Sequence, residues 1–513
     1  MKAPISLPKH TGILIIGGGP IGMTLAALLA KQGVKALVLE ADAGYCTGSR
    51  AICVSRRSQE ILSWAGAENA MREKALPWTG GRSYYRDKEV LHFNMPTEPT
   101  ERFAPMVNIQ QFYVERFAYE CGGFDVAWNC KVLSVQSFDE YSEVIIQMVD
   151  GTKHTMTCDW LAACDGGKST VREQLGLSLE GVQYEGKYVI VDIEQDTKRE
   201  VERLAWFDPP SNPGSTILMH RQPDNIWRID YQVADDEDPA EAVKPENVLP
   251  RVQSHLDMIG ENAPWKAQWI SIYNAKCLTL PDYRHKQVFF LGDAAHLVPI
   301  FGVRGLNSGI DDAANLAWKL AAVMQGKATN GLLNTYTQER LHATHENIQY
   351  GAKSTEFMAP PHEGFKLMRE AALRLSIENS SVNSLLNPRQ SQPIEYVGSA
   401  LNIDASSNAK HEGPRPGMPA PEAQLFGFPQ THLSQLFGKG FVTLRFSNAV
   451  SANHNVVNIN SEHTQAWSRY AAQEGSTYLI RPDGYILATW IESNTNNAID
   501  AARLIDKALK VAV

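Results

Sequence analysis

Paired-cysteine motifs are missing from this chain. Its 513 residues include seven cysteines (Cys46, Cys53, Cys121, Cys130, Cys158, Cys164 and Cys277), an odd number with no CxxC or other metal-ligand spacing. That spacing excludes a disulfide scaffold and points to free thiols, mostly buried filler, in a reducing cytoplasm. Basic runs are absent too: 57 acidic side chains face 48 basic ones, a formal charge of -9, with no interleaving of aromatic and basic residues. Nucleic acid is therefore not an expected partner. The one long apolar stretch, Ile13 to Ala30, is broken by four glycines and a proline and has no basic leader. It reads as strand, turn and helix, so neither secretion nor a membrane span is expected. No internal repeat is found.

What is present is material for a large core, 43% hydrophobic residues in a length that suits about three domains. Gly12 to Ile16 is a short apolar run, GGGPIG follows, Met23 to Lys31 is helix-compatible and Val34 to Glu40 is β-rich, which together make a βαβ opening. Arg82 to Arg102 is polar and loses regular periodicity, Gln110 to Tyr119 has helical spacing, and Val144 to Val149 alternates as a strand. From Tyr188 to Val233, β-rich runs separated by turn chemistry predict an inserted antiparallel sheet. On it Trp206, Met219, Trp227 and Tyr231 are either pocket walls or ordinary core. Tyr336 to Ala359 predicts a long helix. The expected divisions are 1–180 and 281–378 for the two parts of a nucleotide-binding fold, 181–280 for the sheet, 379–421 for a linker and 422–513 for a βαββα module.

Three motifs carry chemistry. Gly17, Gly19 and Gly22 form GxGxxG between a predicted strand and a predicted helix, with Pro20 opening that helix. Absent side chains let a pyrophosphate approach the backbone and the helix N-terminus. Glu40 ends the next strand, where an acid bonds ribose hydroxyls. Far downstream, FFLGDAAHLVPIFGVRGLNSGIDDAANLAWKL runs from Phe289 to Leu320. Asp293 after Gly292 can accept bonds from polyol hydroxyls, and Gly302, Gly305 and Gly309 let a flat ring lie close to the chain. The following helix points its positive end at the ring, suiting the negative charge of a reduced flavin. One ligand that reaches both segments is FAD.

Together GGGPIG, LAACDGGKSTVR and the 289–320 segment resemble the class A flavoprotein monooxygenases, the para-hydroxybenzoate hydroxylase type, over roughly residues 10 to 360. The ending around LIRPDGYI is similar to the C-terminal thioredoxin-like domain of the subgroup containing phenol, hydroxyphenylpropionate and polyketide hydroxylases. With no cysteine after Cys277, such a module would lack dithiol chemistry and serve structure or association. The resemblance implies a Rossmann-like FAD-binding α/β fold with an inserted antiparallel-sheet substrate domain. It also implies that Gly17, Gly19, Pro20, Gly22 and Glu40 hold the ADP half of FAD. Gly292 and Asp293 would hold the ribityl-pyrophosphate region, and Gly305, Leu306 and Asn307 the ring end. Arg50 would lie near the pyrophosphate, Gln111 would contact the flavin, Asp165 and Gly166 would serve both FAD and NAD(P)H, and Pro299 would sit beside the reacting ring.

The implied chemistry consumes NADPH or NADH and O2: the nicotinamide reduces FAD, and a flavin C4a-hydroperoxide then hydroxylates a phenol or hydroxylated aromatic acid or heteroaromatic. No metal is needed. Two departures from the family pattern stand out. The loop reads Ile300-Phe301-Gly302-Val303-Arg304-Gly305 rather than PxGGQG, and Ile52 occupies the place of an aspartate found in phenol hydroxylase. Arg304 then either bonds flavin or a substrate carboxylate, points to solvent, or pairs with Asp311 or Asp312. His220 and Tyr231 are the titratable groups singled out as catalytic, with Trp206, Met219, Arg228 and Phe301 as substrate contacts and Arg228 as an anion anchor. His296 is read as a support for its loop. Competing readings are Baeyer-Villiger or epoxidising chemistry and a non-catalytic flavin-binding scaffold. Trp265 and Trp269 do not form the WxWxIP signature of a halogenase. A monomer or homodimer without stable membrane association is expected.

Overall fold

The computed structural model describes residues 6–234, 236–299, 301–386, 392–405, 412–449, 456–492 and 500–512. Its first sheet is built on five parallel strands in the spatial order Val288–Phe290, Lys153–Ala163, His10–Ile16, Leu37–Leu39 and Asp125–Ala127. The central strands are apolar and buried where they lead into the motifs: the last four residues of His10–Ile16 and of Lys153–Ala163, and all of Leu37–Leu39, as strands covered on both faces must be. Helix Pro20–Lys31 lies on this sheet between Gln111–Gly122 and Gly305–Met324. The small residues of the last helix allow that close approach: a Cβ on Gly309 would fall 2.6 Å from Ile21 Cδ1.

The strand registers place the motifs. Ile16 pairs with both Leu39 and Ala163, and Ala163 pairs with Phe290. Four neighbouring strands therefore end level, and their next residues lead into Gly17, Glu40, Asp165 and Gly292-Asp293. Ligands of open α/β sheets bind at such a carboxyl edge.

The second sheet has eight strands in the order His296–Leu297, Trp265–Thr279, Glu180–Gln195, Ile226–Val233, Thr216–Arg221, Arg203–Phe207, Gly80–Tyr85 and Lys88–Asn94. The last two differ from the sequence expectation, in which Arg82 to Arg102 is polar and without regular periodicity. They form an edge hairpin in which outward polar residues interrupt the apolar pattern, and edge strands commonly carry such charges. Helix Pro245–Met258 covers one face of the sheet and contributes Val248, Val252 and Leu256 to its core.

The C-terminal residues form a third sheet, Ile403–Asp404, Ile486–Ile491, Ser476–Ile480, Val442–Phe446 and Val456–Ile459, with helices Thr464–Arg469 and Ala501–Leu509. Parts of the expected linker, 387–391 and 406–411, lie outside the described residues. This module is docked by buried charge. Arg481 donates to Glu339 at 2.6 and 3.0 Å, and Glu339 also accepts from Lys319 at 2.8 Å and from Asn315 at 2.7 Å. Trp318 donates to Asp483 at 3.0 Å, and Arg57 donates to the Asp483 carbonyl. Burial would raise the Glu339 carboxyl, but Arg481 and Lys319 hold it far below the usual carboxylate range. No described helix is long and apolar enough to cross a membrane.

Removing one member of a buried ionic set strands the others, at a cost of about 3–5 kcal/mol. Arg481→Met is expected to lower unfolding free energy by that amount in urea titration, and a loss under about 1 kcal/mol would show that the docking does not rest on this contact.

Candidate active site

A cavity of about 770 Å³ opens where the carboxyl edge of the first sheet meets the second sheet. Its walls include Gly17, Gly19, Pro20, Glu40, Arg50, Gln111, Asp165, Gly166, Gly292, Asp293, Gly305 and Leu306, twelve sequence-predicted cofactor residues from seven separate segments.

The glycines differ in what they do. Gly17 has φ +105, and a Cβ there would fall 2.3 Å from the Cys164 carbonyl oxygen. One on Gly22 would fall 2.1 Å from the Gly17 carbonyl oxygen. These two keep strand, turn and helix in contact, and Gly22 is not part of the cavity wall. A Cβ on Gly19 would meet nothing within 4 Å, so Gly19 leaves free space for a ligand. Gly19 also caps helix Pro20–Lys31, whose first turn has neither a side-chain cap nor an acidic residue, and helix Gly305–Met324 starts in the same way. Two helix ends with uncompensated N–H groups thus border one cavity, which suits a group with a pyrophosphate at one end and a ring that gains negative charge at the other. The residues fit FAD.

Glu40 accepts from the Gly18 N–H at 2.6 Å and the Asp42 N–H at 2.8 Å, which fixes its carboxylate at the edge. Asp293 opens onto the cavity. The surrounding protein raises its carboxyl pKa, against the opposing pull of His296 and Arg172. Gln111 accepts from the Ala51 N–H at 3.3 Å and donates to Glu115 at 2.9 Å, and burial raises the Glu115 pKa. Asp165 is turned inward. It accepts from Ser169 Oγ at 2.6 Å and the Val171 N–H at 3.0 Å, and so shapes its own loop.

Several contacts had no sequence signature. Arg172 donates to the Ala294 carbonyl at 2.9 Å and the Gly167 carbonyl at 2.6 Å, stapling the second motif to the third. Asp312 is buried. One of its oxygens accepts from the Gly292 N–H at 3.0 Å and lies 2.8 Å from His296 Nε2, and the other accepts from Arg340 Nε at 2.6 Å. Burial alone would raise its pKa, but Arg340 and His296 outweigh it and bring the value to about 2. His296 thus supports the loop, as its sequence position suggested.

Other predicted residues sit elsewhere. Asn307 spends its amide on the Ser55 N–H at 2.9 Å and on the Cys53 and Val303 carbonyls at 3.1 and 2.6 Å, so it braces the ring-end loop from outside the cavity wall. Pro299 is buried beside Gly351, where a Cβ would come 3.1 Å from its Cδ. Arg304 lines the cavity, donates to Asn347 at 2.8 Å and lies 5.4 Å from the Tyr350 ring centre. Asp311 and Asp312 pair instead with Arg57 and Arg340. In the same loop Val303 has φ +54, a strained setting for a β-branched residue.

The second sheet separates the substrate-side candidates by strand alternation. Trp206, Met219, Trp227 and Tyr231 project into the core beneath helix Pro245–Met258, on the side away from the cavity. Tyr231 lies under Arg251, 5.6 Å from its ring centre, and burial pushes its phenol up to about 12. These positions correct the reading of Trp206, Met219 and Tyr231 as cavity residues. The other face carries Arg203, Leu218, His220, Arg228 and Asp230 into the cavity, with Phe301 opposite. Arg228 donates to Asp230 at 2.7 Å and to the Arg50 carbonyl. Burial, then Arg203 and Arg228, keep the His220 imidazole well below its usual pKa and neutral.

Residues 10–350 match the family model described as FAD binding domain. Over 369 residues the chain is 28% identical to a 3-(3-hydroxy-phenyl)propionate/3-hydroxycinnamic acid hydroxylase of Klebsiella pneumoniae, covering 69% of this chain and 63% of that protein. The matched stretch is thus just under two thirds of that relative. With a protein of the same description from Escherichia coli O139:H28 it is 27% identical over 471 residues, 89% of this chain and 80% of the other. Among solved structures, the flavin-dependent monooxygenase PieE in complex with FAD and substrate superposes with a TM-score of 0.80 at 20% identity, covering 99% of both chains. A ternary complex of aklavinone-11 hydroxylase with FAD and aklavinone gives 0.75 at 21% identity, over 98% of this chain and 99% of the other. At these identities the two structures show a shared fold.

Two outcomes test the site. Gly19→Val is expected to fold yet purify without FAD, whereas Gly22→Val is expected to lose about 1–3 kcal/mol of stability from overpacking. Stoichiometric yellow cofactor in the Gly19 variant contradicts the assignment. Asp312 has a folded value below its ordinary 3.8, so its stabilisation is full above about pH 4 and fades as pH falls towards 2. Asp312→Asn is expected to flatten that part of the acid-unfolding profile, and superimposable profiles would refute the role given to Asp312.

Proposed function

The chain belongs to the FAD-binding domain family that its residues 10–350 match, and on that premise we propose that it is an FAD-dependent, NAD(P)H- and O2-consuming monooxygenase. Its substrate is a phenol or a hydroxylated aromatic acid or heteroaromatic. The carrying observation is the continuity of one cavity from the glycine turn at Gly17 to the charged face of a second sheet at His220. The names of the curated relatives, hydroxylases of hydroxyphenyl acids, support the same reaction class.

Bound FAD supplies electron transfer from the nicotinamide and activation of dioxygen. The protein supplies position and environment. Gly19 and the free N–H groups of helix Pro20–Lys31 receive the phosphates, Glu40 receives the ribose, and Asp293 receives the sugar chain near the ring. The start of helix Gly305–Met324, with Leu306, receives the ring itself, and its dipole favours the negatively charged reduced form. Phe301, packed edge-on to Tyr188 at 5.1 Å, and Leu218 keep water from the reacting region. Neutral His220 offers an aromatic substrate one N–H and one lone pair without adding charge. Arg304 holds the ring-end loop through Asn347. The C-terminal module, read as thioredoxin-like from its element order, braces the helices behind this loop.

A panel of phenols, hydroxybenzoates, hydroxyphenylpropionates and N-heteroaromatics is expected to contain compounds that accelerate NAD(P)H oxidation by at least about tenfold, the range ordinary for positioned catalysis. Labelled oxygen should then appear as a ring hydroxyl. Label in a lactone or epoxide would identify a different oxygen insertion, and no acceleration by any compound would leave a flavin-binding protein without this activity.

A further inference from the structure

On the polar face of the second sheet, Arg203 is a cation without an ion-pair partner among the described residues. Arg203 pairs in register with His220, His220 with Arg228, and Arg228 with Asp192, so the four side chains form a row across adjacent strands. Two members are satisfied. Arg228 binds Asp230 and the Arg50 carbonyl, and Asp192 accepts from Ser49 Oγ at 2.7 Å and Ser49 N–H at 2.8 Å. The other two are not. Arg203 is 5% exposed, lines the cavity, and has no hydrogen bond or ion pair among the described residues. His220 is also 5% exposed, and its Nδ1 has no hydrogen-bond partner among the described residues.

A guanidinium cannot shed its charge at ordinary pH, so burying one without an anion is costly unless a ligand brings the anion. Burial lowers the Arg203 pKa to about 10, opposed among the described residues by the Cys53 thiol rather than by a carboxylate. The planar fork of donors fits a carboxylate side-on. Arg203 stands on the second sheet, where the Cys53 thiol lies beside it and beside Arg228 and Asp230 of the same sheet, whereas the glycine turn that suits the pyrophosphate belongs to the first sheet.

We propose that Arg203 is the anchor for a carboxylate on the aromatic substrate, with His220 beside it as a neutral second hydrogen-bonding group, so that the cavity selects phenolic acids over neutral phenols. This rests on the substrate side assigned above and moves the anion site from Arg228, which is already paired, to Arg203.

The test reads binding rather than turnover. Purified FAD-containing protein is titrated by calorimetry and by flavin absorbance with 3-(3-hydroxyphenyl)propionate and with its primary amide, in wild type, Arg203→Met and Arg203→Lys. Wild type is expected to prefer the acid by about 10–100-fold, the range of a charge-assisted pair. Arg203→Met should keep its FAD and bind both compounds alike, while Arg203→Lys should recover part of the preference. Equal binding of acid and amide by wild type, undiminished preference in Arg203→Met, or binding of neither compound overturns the proposal. Loss of FAD from Arg203→Met also overturns it, by placing Arg203 in the cofactor site. Should the acid preference hold while no compound accelerates NAD(P)H oxidation, the hydroxylase reading falls and the anion site stands.

Discussion

The loop that would meet the reacting end of the cofactor depends on one carboxylate. Asp312, about two turns inside helix Gly305–Met324, takes the Gly292 N–H, His296 and Arg340 at once. Gly292 and Asp293 therefore cannot move independently of that helix, although twenty residues separate them in sequence. Arg340 extends the connection: it donates to the Ser308 carbonyl at 3.1 Å and to the Tyr396 hydroxyl at 2.9 Å. The next residue back, Glu339, holds Arg481 and Lys319. One stretch of helix Asn334–Met358 thus ties the cofactor loop on one side and the C-terminal sheet on the other.

Charges buried in this way are not an efficient source of stability, because apolar residues of the same volume often do as well. Their effect here is geometric. Asp312 presents two oxygens to three donors arriving from different elements, and only one arrangement of strand end, loop and helix satisfies them all. The same argument accounts for Arg172, which bridges two loops through backbone carbonyls alone. A site that must hold a long ligand at both ends needs such fixed spacing more than it needs additional burial.

The cofactor half of the site was legible in the sequence because its signals are local. Gly17, Glu40, Asp165 and Asp293 each follow directly on an apolar strand, and strand ends are visible without knowing which strands pair. Asp312 was not legible as a loop support, since it sits in an ordinary helical run and its three partners come from distant segments. The substrate half failed differently. In the sequence, large Trp206, Met219 and Tyr231 and polar His220 and Arg228 all look like pocket candidates, yet neighbouring strand positions face opposite ways. Met219 and His220 cannot share a face, and neither can Arg228 and Tyr231. Parity alone separates the two sets, but because both faces of this sheet are covered, hydrophobicity does not say which one meets the cavity. Arg203 has no sequence signature, because its significance lies in the lack of an ion-pair partner among the described residues, which no single-strand pattern reveals.

The two halves are joined at one short loop. Ser49 binds Asp192 through both its hydroxyl and its N–H, the Arg50 carbonyl accepts from Arg228, and Trp269 packs where a Cβ on Gly48 would fall 2.4 Å from its ring. Gly48 and Arg50 both have positive φ, at +75 and +46, so the chain is bent out of its ordinary range to make these contacts. Asp192, Arg228 and Trp269 all belong to the second sheet, in the same cross-strand row as His220 and Arg203. The position of Arg50 at the cofactor side is consequently set by residues of the substrate side. The groups that fix the Arg50 loop are thus immediate neighbours of the row that faces the cavity, so the two halves of the site share one set of contacts.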